Sequence, residues 1–415
     1  MNRIYIYEDE DYRNLVPLVY LRPVFDLYCG IYTFRERVQK LYPSAQIYPL
    51  SRFNSETFEP FPSQTLFING RAILHSPLPD AEGVFVADGE VIGFRVKSEK
   101  LKVKVPISIE FLTTLKVKLK VIEVKKAVVI KYPWDLIKWN EETIIKDIEL
   151  MSRFLRDPDA TGQKSKVKPV PTRNGSGSQK VKEVGIRVGE SPRFRQSGVY
   201  LIEKEGPVYI GSDVQIKPPT VIEGPCCIGE GSLIDGAKIR QGTTIGKYCK
   251  IGGEVERSIF SDFSNKHHEG FVGHSYIGEW VNLGALTTTS DIKNTYSTIK
   301  VKINNKKLDT GLIKLGSFIG DHTKTGIGTL LDTGSVIGCF VNLYGGGVAP
   351  KYIPSFSWGT KKNLTEYKLD KAIEVAKKVM ARRDKELTNE YVQRIYKLTP
   401  HFSVGGKRGR DEKKD

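Results

Sequence analysis

Isoleucine recurs every six residues along one stretch of this chain, and that period limits the fold more than any other feature. It stands at positions 210, 216, 222, 228 and 234 and then, after a one-residue slip, at 239, 245 and 251. A period of six fits neither the 3.6-residue turn of an α-helix nor the two-residue alternation of a hairpin ladder. Units such as "IGEGSL" and "IGKYCK", led by an aliphatic residue and often followed by glycine, are the signature of a parallel β-helix. The aliphatic side chain turns into a narrow core, and glycine permits corners that a Cβ would resist. The period resumes in "VGHSYIGEWVNLGA" and in "KLGSFIGDHTKTGIGTLLDTGSVIGCFVNLYGGGVAP". Between them, "TTTSDIKNTYSTIKVKINNKKLDTGLI" breaks it and should project as a loop or hairpin, the kind of segment that carries sites on a rigid solenoid. The solenoid is assigned residues 199–362.

Residues 1–156 have a different texture. "RIYIYE" and "QTLFING" read as short buried strands, and "TFRERVQKLYP" as a helix with Thr33 at its N-cap and Pro43 as its stop. "PWDLIKWNEETIIKDIELMSRFL" reads as a longer helix, so the region is an α/β domain. Residues 157–198 are rich in Pro, Gly, Ser and Lys. Such a stretch buries too little apolar surface to offset its chain entropy, and reads as a flexible linker or insertion. Over 363–404, Leu369, Ile373, Ala376 and Met380 form a helical stripe. Two helices with a break near Thr388 should cap the open end of the solenoid or pack on a neighbouring subunit. The basic tail 405–415 reads as disordered.

The five cysteines include no CxxC pair and are odd in number, which excludes a disulfide framework or a structural zinc site and leaves buried free thiols. The net charge of +16 is spread over several segments, without a basic stripe interleaved with aromatics. It favours small anions such as nucleotides and phosphates over nucleic acid. No apolar run reaches membrane-spanning length, and "MNRIYIYEDEDYRN" has no signal-peptide pattern. The expectation is a cytoplasmic protein with neither a membrane nor a nucleic-acid partner.

Three of the six histidines lie in "SNKHHEGFVGHSYIGEWVNLGA", residues 264–285. Acyl transfer from a thioester to an amine needs a base that works near pH 7 and donors for a developing oxyanion. His267, His268, His274 and His322 are the candidate bases. Alternation along extended backbone allows only one of His267 and His268 to face a given cleft. A metal would need His268, His274 and His322 to converge without a spaced acidic or cysteine partner. No metal site is assigned, and His267 and His274 read as surface residues.

The same stretch resembles the active-site segment of the bifunctional N-acetylglucosamine-1-phosphate uridyltransferase/glucosamine-1-phosphate acetyltransferases. In that family a Gly-His pair precedes an "LTYLGD"-like run, an "IG" corner and an "N-[IV]-G-A-G-T" corner. The resemblance places the family's catalytic base on His268, its sugar-contacting asparagine on Asn282, and its corner alanine beside acetyl-CoA on Ala285. "LRPVFDLYCGIYTFRERV", "TLFINGRAI", "YPWDLIKWN" and "IPSFSWG" are similar to a mainly bacterial two-domain branch of these enzymes. The fold so implied is a reduced nucleotidyltransferase-like α/β domain, a left-handed parallel β-helix and a C-terminal helical cap, assembled as a homotrimer.

Several positions depart from the family pattern. Phe271 replaces a tyrosine three residues after the base, and Leu286 replaces the corner glycine. Glu256 and Arg257 stand at a sugar-phosphate-binding lysine pair, where Arg257 can still act as a cation. "YEDEDYRNLVPLVYLRP" replaces the Gly-rich triphosphate loop, leaving Arg22 as a phosphate-binding analogue. "FINGR" puts Arg71 where the family has a magnesium-holding aspartate, so Asp26 or Asp88 would have to hold Mg2+ for the N-terminal domain. Arg22 and Arg71 read equally well as surface salt-bridging residues. The resemblance implies acetyl transfer to an amino-sugar phosphate, with nucleotidyl transfer to a sugar-1-phosphate as a second activity. The rivals are a nucleotidyltransferase whose β-helix only assembles it, and a non-enzymatic assembly protein.

Overall fold

A computed structural model describes residues 3–54, 65–96, 103–156, 187–188, 193–194 and 198–398. Most of the expected linker and the whole tail 405–415 lie outside the described residues.

The N-terminal domain is built on a mixed sheet. Its strands are β1 (Arg3–Tyr7), β2 (Gln46–Leu50), β3 (Thr65–Asn69), β5 (Gly83–Ala87), β6 (Glu90–Val96) and β7 (Val121–Glu123), with a small pair β4 (Ala72–Leu74) and β8 (Ala127–Val129) beside it. The sheet order is β2-β1-β3-β6-β5-β7, parallel across its first three strands and antiparallel at β6. Strand β3 is buried along its whole length, which is why its centre, "LFI", is an unbroken apolar run. Helix α1 (Phe34–Leu41) begins with a full capping box between Thr33 and Glu36. Helix α2 spans Ile109–Lys118 and helix α3 spans Pro133–Arg156.

The period-six region forms a parallel β-helix. Ile210, Ile228, Ile245, Phe260, Ile277, Ile319, Ile337 and Ile353 stack in register, one from each coil. All eight are buried. A second stack runs Ile216, Ile234, Ile251 and then Lys266. The one-residue slip in the sequence shortens a corner: Ile216 and Ile222, six residues apart, pair with Ile234 and Ile239, five apart, and all four stay buried. Pairing begins upstream of residue 199, since Arg187–Val188 and Arg193–Phe194 already run parallel to later coils. The interrupting segment holds a hairpin, Lys300–Ile303 against Lys306–Asp309, turned by Asn304 and Asn305 at positive φ. All five cysteines are buried and free.

One corner of the solenoid carries an aromatic ladder that the sequence reading missed. Tyr248, Phe263, Trp280, His322, Phe340 and Phe356 all sit at φ between 53° and 60°. Their rings follow one another along the axis, with centroids 4.2 Å apart at the Phe263–Trp280 step and 4.6 Å at His322–Phe340. Each lies three residues after the stacked aliphatic (or Phe260) of its coil, and stacking offsets the cost of a left-handed corner.

The C-terminal helices α4 (Leu369–Ala381) and α5 (Asn389–Leu398) break where expected but do not cap the open end. Ala372, Ile373, Ala376, Met380 and Ile395 pack against this ladder, in one cluster with Trp280, Phe340 and Phe356. A flat aromatic corner buries the apolar stripe of α4 along its length, which a solenoid end one coil wide does not.

The α/β domain docks on the side of the β-helix. One core cluster contains Leu15, Phe25 and Ile73 together with Ile259, Tyr276 and Phe318. Asn140 of α3 donates to the Gly242 carbonyl at 2.9 Å, and the Tyr28 hydroxyl donates to Asp262 at 3.0 Å. No helix among the described residues is long and apolar enough to cross a membrane.

Candidate active site

The strand Asn265–Lys266 is only two residues long, and the chain then turns. His267 and His268 lie in that turn, so strand alternation does not separate them. Both line one cleft of about 570 Å3, contrary to the expectation that only one would, with ring centroids 5.2 Å apart. His267 is anchored by Asp235 at 3.1 Å, and Asp235 also holds Lys217 at 3.1 Å. The His268 side chain is exposed.

The next coil brings Asn282, Gly284 and Ala285 to the same wall. The C-terminal end of α4 closes the cleft with Arg382 and Arg383, and Arg383 donates to Asn265 at 3.0 Å. Lys250 faces them. Burial, then the charges of Arg383 and Arg382, hold its ammonium below the usual lysine range. Three crowded cations beside an exposed imidazole give the cleft a positive field, which attracts anions.

Lys266 escaped the sequence reading. It occupies an inward position of the solenoid, opposite Ile251, and is 1% exposed. Its Nζ donates to the Gly252 carbonyl at 2.9 Å and to the His268 carbonyl at 2.8 Å. Burial lowers its pKa to about 8. Gly253, at φ +67°, leaves the space this ammonium needs, because a Cβ there would come within 2.6 Å of Nζ. The available signal was a lysine at an aliphatic stacking position, one coil after a Gly-Gly pair.

The remaining expected residues lie elsewhere. Arg257 pairs with Glu141 of α3 and fastens the two domains. Phe271 is half-buried, its ring lying where a side chain on Gly273 would have to go. Neither lines the cleft. Arg22 is buried between Glu279 and Asp321, with Asp321 at 2.7 Å. Arg71 is 2% exposed and grips Asp9 through Nε at 2.8 Å and a terminal nitrogen at 2.6 Å, and it also donates to the Ile130 carbonyl at 2.9 Å. Both guanidinium groups are already taken by carboxylates, so salt bridging describes these arginines and phosphate binding does not, but the pairs are buried and not at the surface as expected.

The N-terminal carboxylates are engaged in the same way. Asn69 donates to Asp9 at 2.8 Å, Glu8 accepts from the Val24 and Arg52 backbone N–H groups, and Asp26 pairs with Arg35 at 2.5 Å. Asp88 stands at the β5–β6 turn with φ +48°. Among the described residues no three His, Cys, Asp or Glu side chains gather as a metal would require. These residues do not fit a magnesium site.

His274 is not a surface residue. It is 8% exposed, and its Nδ1 meets Asp291 at 2.7 Å. Burial opposes the Asp291 charge, but this bond holds its carboxyl below the usual range. His322 is a rung of the aromatic ladder, with Nε2 3.1 Å from the Tyr391 hydroxyl. Burial keeps its imidazole well below the usual histidine range.

Comparison with known proteins bears on the first domain. Residues 4–154 match the family model for sugar nucleotidyl transferases, so the first domain is of that type. A bifunctional sugar-1-phosphate nucleotidylyltransferase/acetyltransferase of Sulfurisphaera tokodaii is 37% identical over 150 residues, 35% of this chain and 37% of its own length. The bifunctional protein GlmU of Synechococcus sp. (strain CC9311) is 29% identical over 204 residues, 40% of this chain and 41% of its own length. The chain thus spans about two fifths of the length of these curated relatives. A UDP-N-acetylglucosamine acyltransferase from Campylobacter jejuni covers 51% of the chain at 13% identity, with a TM-score of 0.20. The β-helix is defined by this chain's own stacked coils.

Proposed function

We propose that the cleft around His268 transfers an acetyl group from acetyl-CoA to the amine of an amino-sugar phosphate such as glucosamine-1-phosphate. The observation that carries this reading is one cleft lined by His268, Asn282 and Ala285 together with Lys250, Arg382 and Arg383. The amine nitrogen attacks the thioester carbonyl, His268 takes the proton that the amine loses, and the thiolate of CoA leaves. Asn282 holds the sugar, the cations meet phosphate, and the backbone at Ala285 runs beside the thioester arm. Phe271 and Arg257 stay outside this set.

A homotrimer is part of the reading. Leu286, Ile327, Leu330 and Val348 are 55%, 72%, 41% and 57% exposed, and Leu330 and Val348 are paired on neighbouring coils of one face. A second copy on that face would bury them and complete the cleft at Ile327, one of its lining residues.

The second reading is nucleotidyl transfer to a sugar-1-phosphate by the N-terminal domain. The family match over residues 4–154 favours it, and the consumption of Asp9 by Arg71 weighs against it.

The test is thiol release from acetyl-CoA with glucosamine-1-phosphate. His268→Ala should lower it by roughly 100-fold or more, the contribution of a general base. No release from the wild type with any of several amino-sugar phosphates, but pyrophosphate release from a nucleoside triphosphate and a sugar-1-phosphate, would transfer the activity to the first domain. Neither reaction would leave an assembly protein.

A further inference from the structure

Ile234, Ile251 and Lys266 stack in register, and the residues directly after them are Asp235, Gly252 and His267. A Cβ on Gly252 would come within 2.2 Å of the His267 carbonyl and 2.9 Å of the Asp235 carbonyl, so its backbone runs between the other two. With no side chain, it leaves open the path by which the His267 ring reaches back over it. His267 Nε2 thereby meets Asp235 Oδ2 at 3.1 Å. Lys217, in register with Asp235 on the preceding coil, donates to the same oxygen at 3.1 Å. Burial opposes the Asp235 charge, but the bonds from Lys217 and His267 hold its carboxyl below the usual range, so it faces the ring as an anion.

An anion on Nε2 decides what the ring offers the cleft. An ionised carboxylate only accepts, so Nε2 carries the proton, and in the neutral imidazole Nδ1 keeps a lone pair. When Nδ1 takes up a proton, the same carboxylate stabilises the imidazolium. His267 lines the cleft with His268, Lys250, Arg382 and Arg383, and these, with Asp235 and Lys217, are the charged and titratable groups around it. Its side chain is 35% exposed, so water can take a proton back from the ring.

Making an amide from an amine that arrives as ammonium releases two protons. Amines of ordinary basicity are largely protonated near pH 7. The nitrogen has no lone pair until the first proton has gone, and the second leaves as the N–C bond forms. One neutral imidazole can take only one of them. We propose that the Asp235–His267 pair takes the first proton and His268 the second, an assignment that rests on the acetyl-transfer reading. The acceptor ammonium gives a proton to His267 Nδ1, and its nitrogen then attacks the thioester carbonyl. The second proton passes to His268, the C–S bond breaks, and CoA leaves as the thiolate. Both imidazolium rings return their protons to water. Lys250, Arg382 and Arg383 favour the first transfer, because cations that attract a phosphate also oppose an ammonium. His267 is then a catalytic residue, and Asp235 and Gly252 position it.

The test is thiol release from acetyl-CoA with glucosamine-1-phosphate, followed from about pH 6 to about pH 9 with the full-length protein. His267→Asn should lower kcat/KM roughly tenfold or more near pH 7, and the loss should shrink toward about pH 9, where the acceptor amine is already neutral. His268→Ala should not be rescued in this way. Asp235→Asn should move the acid limb of kcat to lower pH, since the imidazolium loses its counter-charge. Histidine-selective 15N NMR should show neutral His267 with its proton on Nε2 and Nδ1 bare. Normal release from His267→Asn near pH 7, a deficit equally large at high pH, an unmoved acid limb in Asp235→Asn, or a proton on Nδ1 each overturns this proposal and leaves the acetyl-transfer reading standing. No thiol release from the wild type at any pH overturns both.

Discussion

Removing the Arg71 guanidinium leaves the Asp9 carboxylate 1% exposed, with Asn69 as its remaining side-chain donor. Breaking a buried pair from one side is costly because the remaining charge stays desolvated. Arg71→Met should therefore lower stability by about 3–5 kcal/mol in urea unfolding, while leaving thiol release below the melting range unaffected. A variant as stable as the wild type would show that water reaches Asp9. Four residues along, His75 gives stability a pH dependence. Burial first, and then the charges of Arg37 and Lys146, push its pKa from 6.5 down to about 4. Between those values the unfolded chain binds a proton that the folded chain refuses, so stability falls as pH falls from about 6.5 to about 4. In His75→Gln the drop in urea midpoint from pH 7 to pH 5 should shrink. An undiminished drop would assign the acid sensitivity to other groups.

Elements of this fold are chosen by what their repeating positions face. Lys266 stands in a stack of isoleucines, and its ammonium pins the turn that carries His268. An apolar residue of similar length removes a desolvated charge, and such replacements are often neutral or stabilising. Lys266→Met should keep or raise the melting temperature and lower thiol release, since the His268 carbonyl loses its anchor. A large fall in melting temperature with normal turnover would make Lys266 a purely structural residue. The aliphatic stacks, the hairpin, Thr33 as N-cap and the helix break near Thr388 were all legible, because each follows from local periodicity or capping chemistry. The His268, Asn282 and Ala285 grouping was legible through residues carried over from a resembling family, and the three line one cleft from two adjacent coils. Salt bridging by Arg22 and Arg71 was legible only as one of two equal readings and only at the surface, and the ion pair of Arg257 was not legible at all. Their partners Glu279, Asp9 and Glu141 are brought to them by docking of domains and loops, which no sequence spacing encodes. The aromatic ladder was missed because one ring per coil, at varying sequence intervals, looks like scatter until the coils are stacked.

At the scale of the whole molecule, the exposed apolar face at Ile327, Leu330 and Val348 predicts self-association. Ile327→Glu with Val348→Lys should convert a trimer into monomers in light scattering and depress thiol release, since Ile327 also lines the His268 cleft. A monomeric wild type would remove the trimer and its share of the site together. The docking of the first domain along the solenoid has a consequence for how such a chain can change through descent. Repeat proteins commonly lengthen by duplicating a unit, and a uniform stack tolerates the extra unit anywhere. Here Ile31 and Ile144 meet Cys227, Thr244 donates to the Gly30 carbonyl, Tyr28 meets Asp262, and Arg22 meets Glu279 and Asp321. These contacts register successive coils against one rigid domain, as teeth against a rack. A duplicated coil anywhere between Cys227 and Asp321 would slide every later tooth out of mesh, so as far as these contacts go tandem duplication is confined to the coils outside that span.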